Sequence, residues 1–161
     1  MARIKPDDAG GQNICAFLDM LSISEGTSID PDSDDGYNVI VGGALFVGYA
    51  DHPRRLVQLP RLGIASTAAG RYQLLSRYFD AYKKQLGLHD FSPLSQDKIA
   101  IQQIRERRAI DDIKAGRIES AIAKCSNIWA SLPGNSYGQF QHKIETLRAG
   151  YILHGGTVCG P

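Results

Sequence analysis

The sequence predicts an α+β fold: one leading helix, a small β lobe, then a mostly helical lobe. Three observations predict it. Apolar residues recur at helical spacing over residues 13–24 and again after residue 68. Between them, residues 37–47 alternate in strand fashion around Gly42-Gly43. Proline, glycine and aspartate collect in the stretches between, where they break regular structure.

Residues 1–12, with Pro6, Gly10 and Gly11, read as a flexible tail. Ile14, Phe17, Leu18 and Leu21 then form one helical stripe over 13–24, and Gly26 suits the position just past its end. Residues 27–36 form a polar loop. Tyr37, Val39 and Val41 lead into a hairpin whose other arm is Leu45-Phe46-Val47. Pro53, Pro60 and Gly63 make 51–67 an irregular connection with room for one short strand. From Ala68 a helical pattern runs through Leu75, Tyr78, Phe79, Tyr82 and Leu86 to Gly87. Ser92, Pro93 and Ser95 start a further helix that runs to about residue 114. Ile118, Ala121, Ile122, Cys125 and Trp129 line the next, and Pro133-Gly134 ends it. Phe140, Ile144, Leu147 and Tyr151 line the last. A single domain spanning 1–161 is expected, with the β lobe at about 36–66.

Composition narrows the function. Of 161 residues 43% are hydrophobic and 22% charged, the balance of a soluble globular chain. A formal net charge of +1 predicts no nucleic-acid partner. The apolar run 14–23 is broken by Asp19 and serines, so neither an export signal nor a membrane span is read there. Cys15, Cys125 and Cys159 are an odd set without paired spacing, which suits a reducing compartment. His52, His89, His142 and His154 show no metal-ligand spacing and read as surface or capping residues, so no metal is expected. No phosphate-binding glycine loop is present, so no cofactor is expected. Ser95-Gln96-Asp97-Lys98 matches S-x-x-K, but cap chemistry explains it better. Arg105, Arg107 and Arg108 read as a solvated face.

Glu25 is the carboxylate of interest. It closes an apolar helix, where the helix dipole disfavours a negative charge. Partial burial raises a carboxyl pKa in the same direction. A glutamate kept protonated near neutral pH is what a glycosidase general acid requires. By itself the position is weak, because a glutamate near a helix end is ordinarily solvated.

Longer blocks strengthen it. Leu21-Ser22-Ile23-Ser24-Glu25-Gly26-Thr27, Gly36-Tyr37-Asn38-Val39-Ile40-Val41-Gly42-Gly43 and Asp51-His52-Pro53-Arg54 resemble segments of the lambda-type phage endolysins. So do Gly70-Arg71-Tyr72-Gln73-Leu74-Leu75-Ser76-Arg77, Asp90-Phe91-Ser92-Pro93, the run from Cys125 to Gly134, and Tyr137-Gly138-Gln139-Phe140. The resemblance covers roughly 14–158. It implies a lysozyme-like fold, with a substrate cleft between the β-hairpin lobe and the helical lobe. It implies a lytic transglycosylase that cleaves the β-1,4 bond between N-acetylmuramic acid and N-acetylglucosamine and leaves 1,6-anhydromuramic ends. By the same resemblance Glu25 is the catalytic residue, and Tyr72, Gln73 and Tyr137 bind substrate. Taken without it, Tyr72 and Gln73 read as packing at a helix start, Tyr137 as a loop aromatic and Trp129 as core.

Asn38 departs from relatives that carry aspartate there, and the loop at 60–66 departs in length. A hydrolytic lysozyme on the same fold and a non-catalytic peptidoglycan-binding module remain as alternatives. The expected partner is the peptidoglycan glycan strand, met by a monomer without stable membrane insertion. Such an enzyme waits in the host cytoplasm until a separate protein permeabilises the membrane, then acts on the wall from the periplasm.

Overall fold

The computed structural model describes residues 1–136, 138 and 140–159. Its internal contacts divide it into two compact units, Met1–Glu25 with Ala100–Pro161, and Gly26–Ile99. The second is wider than the β lobe expected at 36–66, because the turns and helices up to Ile99 pack with it.

The first unit is built around α2 (Gln12–Glu25). Ile14, Phe17, Leu18 and Leu21, the stripe read from the sequence, are fully buried, and so are Ala16 and Met20. Each large apolar side chain so buried contributes roughly 1.5–3 kcal/mol. The helix packs against α1 (Pro6–Ala9), α5 (Ile110–Lys114) and α7 (Ile144–Leu153). Gly150 lets α7 approach: a Cβ there would lie 2.9 Å from Ile23 Cδ1. α6 (Ile118–Cys125) adds Ile118, Ala121, Ile122 and Cys125 to the core, and Trp129 is buried as expected.

Residues 1–12 are docked rather than loose. Pro6 opens α1, Ile4 and Ala9 are buried, and the Ala2 N–H donates to Asp19 at 2.6 Å. Short apolar anchors among polar residues were too sparse to give a periodic signal. The long helix expected over 93–114 is two: α4 (Pro93–Glu106) stops, Arg108 turns at φ 56°, and α5 restarts at Ile110. Phe140 is 75% exposed and precedes the last helix, which begins at Ile144.

The second unit holds a buried cluster of Ile40, Phe46, Ala69, Leu74, Phe79, Phe91 and Ile99. The hairpin expected at 37–47 forms in short form, with a bridge from Val39 to Leu45 and backbone bonds from Ile40 to Ala44 O at 2.7 Å and from Phe46 to Asn38 O at 2.9 Å. The arm changes partner: the Val41 N–H donates to Ala68 O at 2.9 Å, and Gly70 N–H to Val39 O at 2.8 Å. The regular ladder among the described residues lies in the stretch read as irregular. There β1 (Val57–Leu59) pairs antiparallel with β2 (Ile64–Ser66) around a 3-10 turn, Pro60–Leu62. Pro60 presets the first φ of that turn and Gly63 closes it at φ 64°. Residues 70–73 form a turn closed by a bridge between Ala69 and Leu74, and α3 (Ser76–Leu86) starts later than the apolar pattern suggested.

His52 is buried, not at the surface. Its Nε2–H donates to Leu74 O at 2.9 Å, and its Nδ1 accepts from the Arg54 N–H at 3.0 Å. A carbonyl can only accept, so this tautomer is neutral, and burial holds its pKa below the usual histidine range.

Candidate active site

Glu25 is the last residue of α2, and Gly26 ends the helix at φ 67°, a left-handed conformation that glycine adopts without a Cβ penalty. The side chain is half-buried. Burial pushes its pKa up to about 6, against an opposing hydrogen bond from Ser131. The Ser131 hydroxyl donates to Glu25 Oε1 at 2.5 Å, and the Ser24 hydroxyl donates to Ser131 Oγ at 2.8 Å. Ser131 is held in turn: its carbonyl accepts from the His142 N–H at 3.0 Å, and Trp129 and Leu132 on either side are buried. Asn135 braces the same turn through Ala130 O and Leu132 O.

The blocks around Gly70 lie in the second unit and fit together by hydrogen bonds. Gln96 accepts from the Arg71 N–H at 2.9 Å and donates to Tyr37 O and Phe91 O at 3.0 and 2.9 Å. Thr27 donates to Arg71 O at 2.7 Å. Gly36 packs against Thr27 so closely that a Cβ would sit 2.9 Å from its backbone. The Arg71 guanidinium pairs with Asp35 at 2.9 Å and lies over the Tyr37 ring. Asp97 accepts from both Tyr37 and Tyr72, at 2.8 and 2.6 Å.

This network includes Tyr72, expected from the resemblance to bind substrate. The ring is buried, 5% exposed, and its hydroxyl is bound to Asp97, so it braces the turn. Gln73 is different. It is partly exposed and sits at φ 51°, a left-handed conformation costly for a residue with a Cβ. Its Nε2 donates to Gly70 O at 3.0 Å and Val39 O at 3.3 Å, so the side chain is fixed through its nitrogen while the amide oxygen remains an acceptor. Tyr137 lies outside the described residues. Asn38 Oδ1 accepts from the Asp34 N–H at 2.8 Å, a bond an aspartate would make equally well. That accounts for the exchange at this position.

Sequence reading missed Ser131, Gln96 and Asp97. Ser131 stands among apolar residues in the run from Cys125 to Gly134, and a small polar residue there was the available signal. Gln96 and Asp97 were read with the start of α4, where Ser92 accepts from the Ser95 N–H at 3.3 Å; their long-range partners have no local trace. Among the described residues there is no cluster of histidine, cysteine or acidic side chains that could hold a metal, and no helix long and apolar enough to cross a membrane.

Comparison with known proteins agrees in sequence and in fold. A family model described as Endolysin matches residues 15–158. The endolysin of Escherichia phage lambda is 61% identical over 146 residues, covering 89% of this chain and 91% of that protein. The endolysin of Escherichia phage P2 is 54% identical over 156 residues, covering 91% and 94%. The solved structure of bacteriophage lambda lysozyme complexed with a chitohexasaccharide superimposes with a TM-score of 0.88 at 55% identity, covering 99% of this chain and all of that one. A second lambda lysozyme structure gives 0.85. The chain therefore belongs to the endolysin family, as a lysozyme-like enzyme that cleaves peptidoglycan.

Proposed function

We propose that Glu25 is the single acid/base of a lytic transglycosylase reaction on the glycan strand of peptidoglycan. The observation that carries it is a half-buried glutamate at a helix end, bonded to Ser131, whose burial pushes the carboxyl pKa up to about 6. Glu25 donates that proton to the glycosidic oxygen as the C1–O bond of N-acetylmuramic acid breaks. The substrate's own 2-acetamido group stabilises the oxocarbenium-like C1, so no carboxylate nucleophile is required. The ionised Glu25 then takes the proton of the C6 hydroxyl as that oxygen attacks C1. A 1,6-anhydro ring closes and no water is consumed.

The chitohexasaccharide on the lambda lysozyme supports an extended amino-sugar chain as ligand. Gln73 is the second binding residue in this reading, offering its amide oxygen from a fixed side chain to a sugar hydroxyl or amide N–H. Tyr137 keeps its assignment as a substrate contact on sequence resemblance alone. Glu25→Gln tests the reading directly. It is expected to keep the fold and glycan binding while losing at least ~10²-fold in turnover. Retention of more than about a tenth of the parent rate would rule out general acid catalysis by Glu25.

The route to the wall is proposed with it: accumulation in the host cytoplasm, then passage through a membrane opened by another protein. Three cysteines, each a free thiol in this structure, and the lack of a spanning helix among the described residues support that route. Cells expressing the enzyme alone should stay turbid until their membrane is permeabilised, and lysis without permeabilisation would count against it.

A further inference from the structure

Two hydroxyls reach the Glu25 carboxyl in series, and their directions are constrained. An ionised carboxylate only accepts, so Ser131 must donate to Oε1. A hydroxyl has one proton, so the contact between Ser131 and Ser24 must be donated by Ser24. Ser24 is 4% exposed on the last turn of α2, which leaves little water to compete for its hydroxyl. Among the described residues, no side chain donates to Oε2.

We propose that the Ser24–Ser131 pair positions Glu25 and keeps its transferable proton on Oε2, the oxygen facing away from the serines. The inference rests on the reading of Glu25 as the acid/base. A proton on Oε1 would make that oxygen a poorer acceptor for the Ser131 hydroxyl. To accept a proton from Oε1, Ser131 would have to turn its own proton away from the carboxyl, although its oxygen could still accept from Ser24. The relay can thus keep the direction required by the carboxylate, without reorientation, when the proton sits on Oε2. It fixes the carboxyl plane, presents Oε2–H to the glycosidic oxygen, and stabilises the carboxylate left after proton transfer. Ser131 is a positioning residue in this scheme, because it touches Glu25 and not the sugar.

Charges nearby do not supply the same effect. Asp19 on α2 is engaged by the Ala2 N–H. Neither Asp19 nor His142, Lys143, Glu145 and Arg148 of the later segment, nor Asp7 and Asp8 of α1 and Asp111, Asp112 and Lys114 of α5, is among the causes acting on Glu25; those are burial and the Ser131 hydroxyl.

The test follows the Glu25 carboxyl carbon by ¹³C NMR titration, with the signal assigned by its absence in Glu25→Gln, alongside turnover on peptidoglycan. In Ser131→Ala the midpoint should move upward from about 6, because the carboxylate loses its donor. Turnover should fall about tenfold with KM little changed, as the carboxyl loses its orientation. Ser131→Thr retains the hydroxyl and should restore both. Ser24→Ala should shift the midpoint upward by less, and should add nothing in the Ser131→Ala background, since Ser24 acts only through Ser131. An unmoved midpoint in Ser131→Ala, or a Ser24→Ala effect that persists undiminished in that background, would overturn the relay. Loss of activity in Glu25→Gln with either of those results would leave the acid/base reading intact and reject only the relay; a fully lytic Glu25→Gln would overturn both.

Discussion

Burial gives Glu25 a stability cost at neutral pH. An ordinary glutamate titrates near 4.5, and this one is raised to about 6 because burial penalises its charged form. The folded state therefore holds the proton more tightly than the unfolded chain does. The associated stability is fully present below pH 4.5, drains as pH rises toward 6, and is absent above it. A shift of this size corresponds to roughly 2 kcal/mol. Glutamine cannot ionise and can still accept from Ser131. Glu25→Gln should therefore melt close to the parent at pH 4 and several degrees above it at pH 7.5, in matched thermal scans. A constant offset across that range would mean the carboxyl is not desolvated. Neighbouring residues divide differently: Tyr72 turns inward to Asp97, while Gln73 stays partly exposed in a strained conformation. Strain held in place by a rigid surrounding turn is characteristic of residues that meet ligands.

At the scale of elements, the turn at 70–73 shows what such holding requires. Gly70 has φ +81°, and a Cβ there would lie 2.3 Å from Gln96 Oε1 and 2.9 Å from the Phe91 ring. Gln96 cannot withdraw without releasing Arg71, Tyr37 and Phe91 together. Gly70→Ala should cost about 2 kcal/mol or more in chemical denaturation, since strain and overpacking act at once. A cost under about 0.5 kcal/mol would show that the turn gives way easily. The same turn marks the limit of what could be read from sequence. α2 was legible because its core contacts repeat every three to four residues along one helix. The 37–47 segment closes on itself through Ile40 and Phe46 as its alternation suggests, yet it also bonds to Ala68 and from Gly70, partners that no local pattern encodes. The break at Arg108 was invisible for a similar reason: the residues around it are ordinary helix formers, and tertiary packing overrides their propensity. Glu25 could be found from its helix end and its block, whereas Ser131, more than a hundred positions away, becomes meaningful only once the chain is folded.

Of the blocks shared with the lambda-type family, those at Thr27, Gly36 and Arg71 meet in one hydrogen-bonded region of the second unit. The block ending at Gly134 instead supplies the serine that touches Glu25. The choice between transglycosylation and hydrolysis depends on which hydroxyl reaches C1 first. The muramic C6 hydroxyl is tethered to the reacting sugar and so has a large effective concentration over water once the ring is held. Mass spectrometry of peptidoglycan digested in H₂¹⁸O tests this most directly. Muropeptides ending in 1,6-anhydromuramic acid, each lighter by one water than its hydrolysed counterpart and free of ¹⁸O, are expected to dominate. Reducing muramic ends that carry ¹⁸O would contradict intramolecular closure and identify a hydrolytic lysozyme.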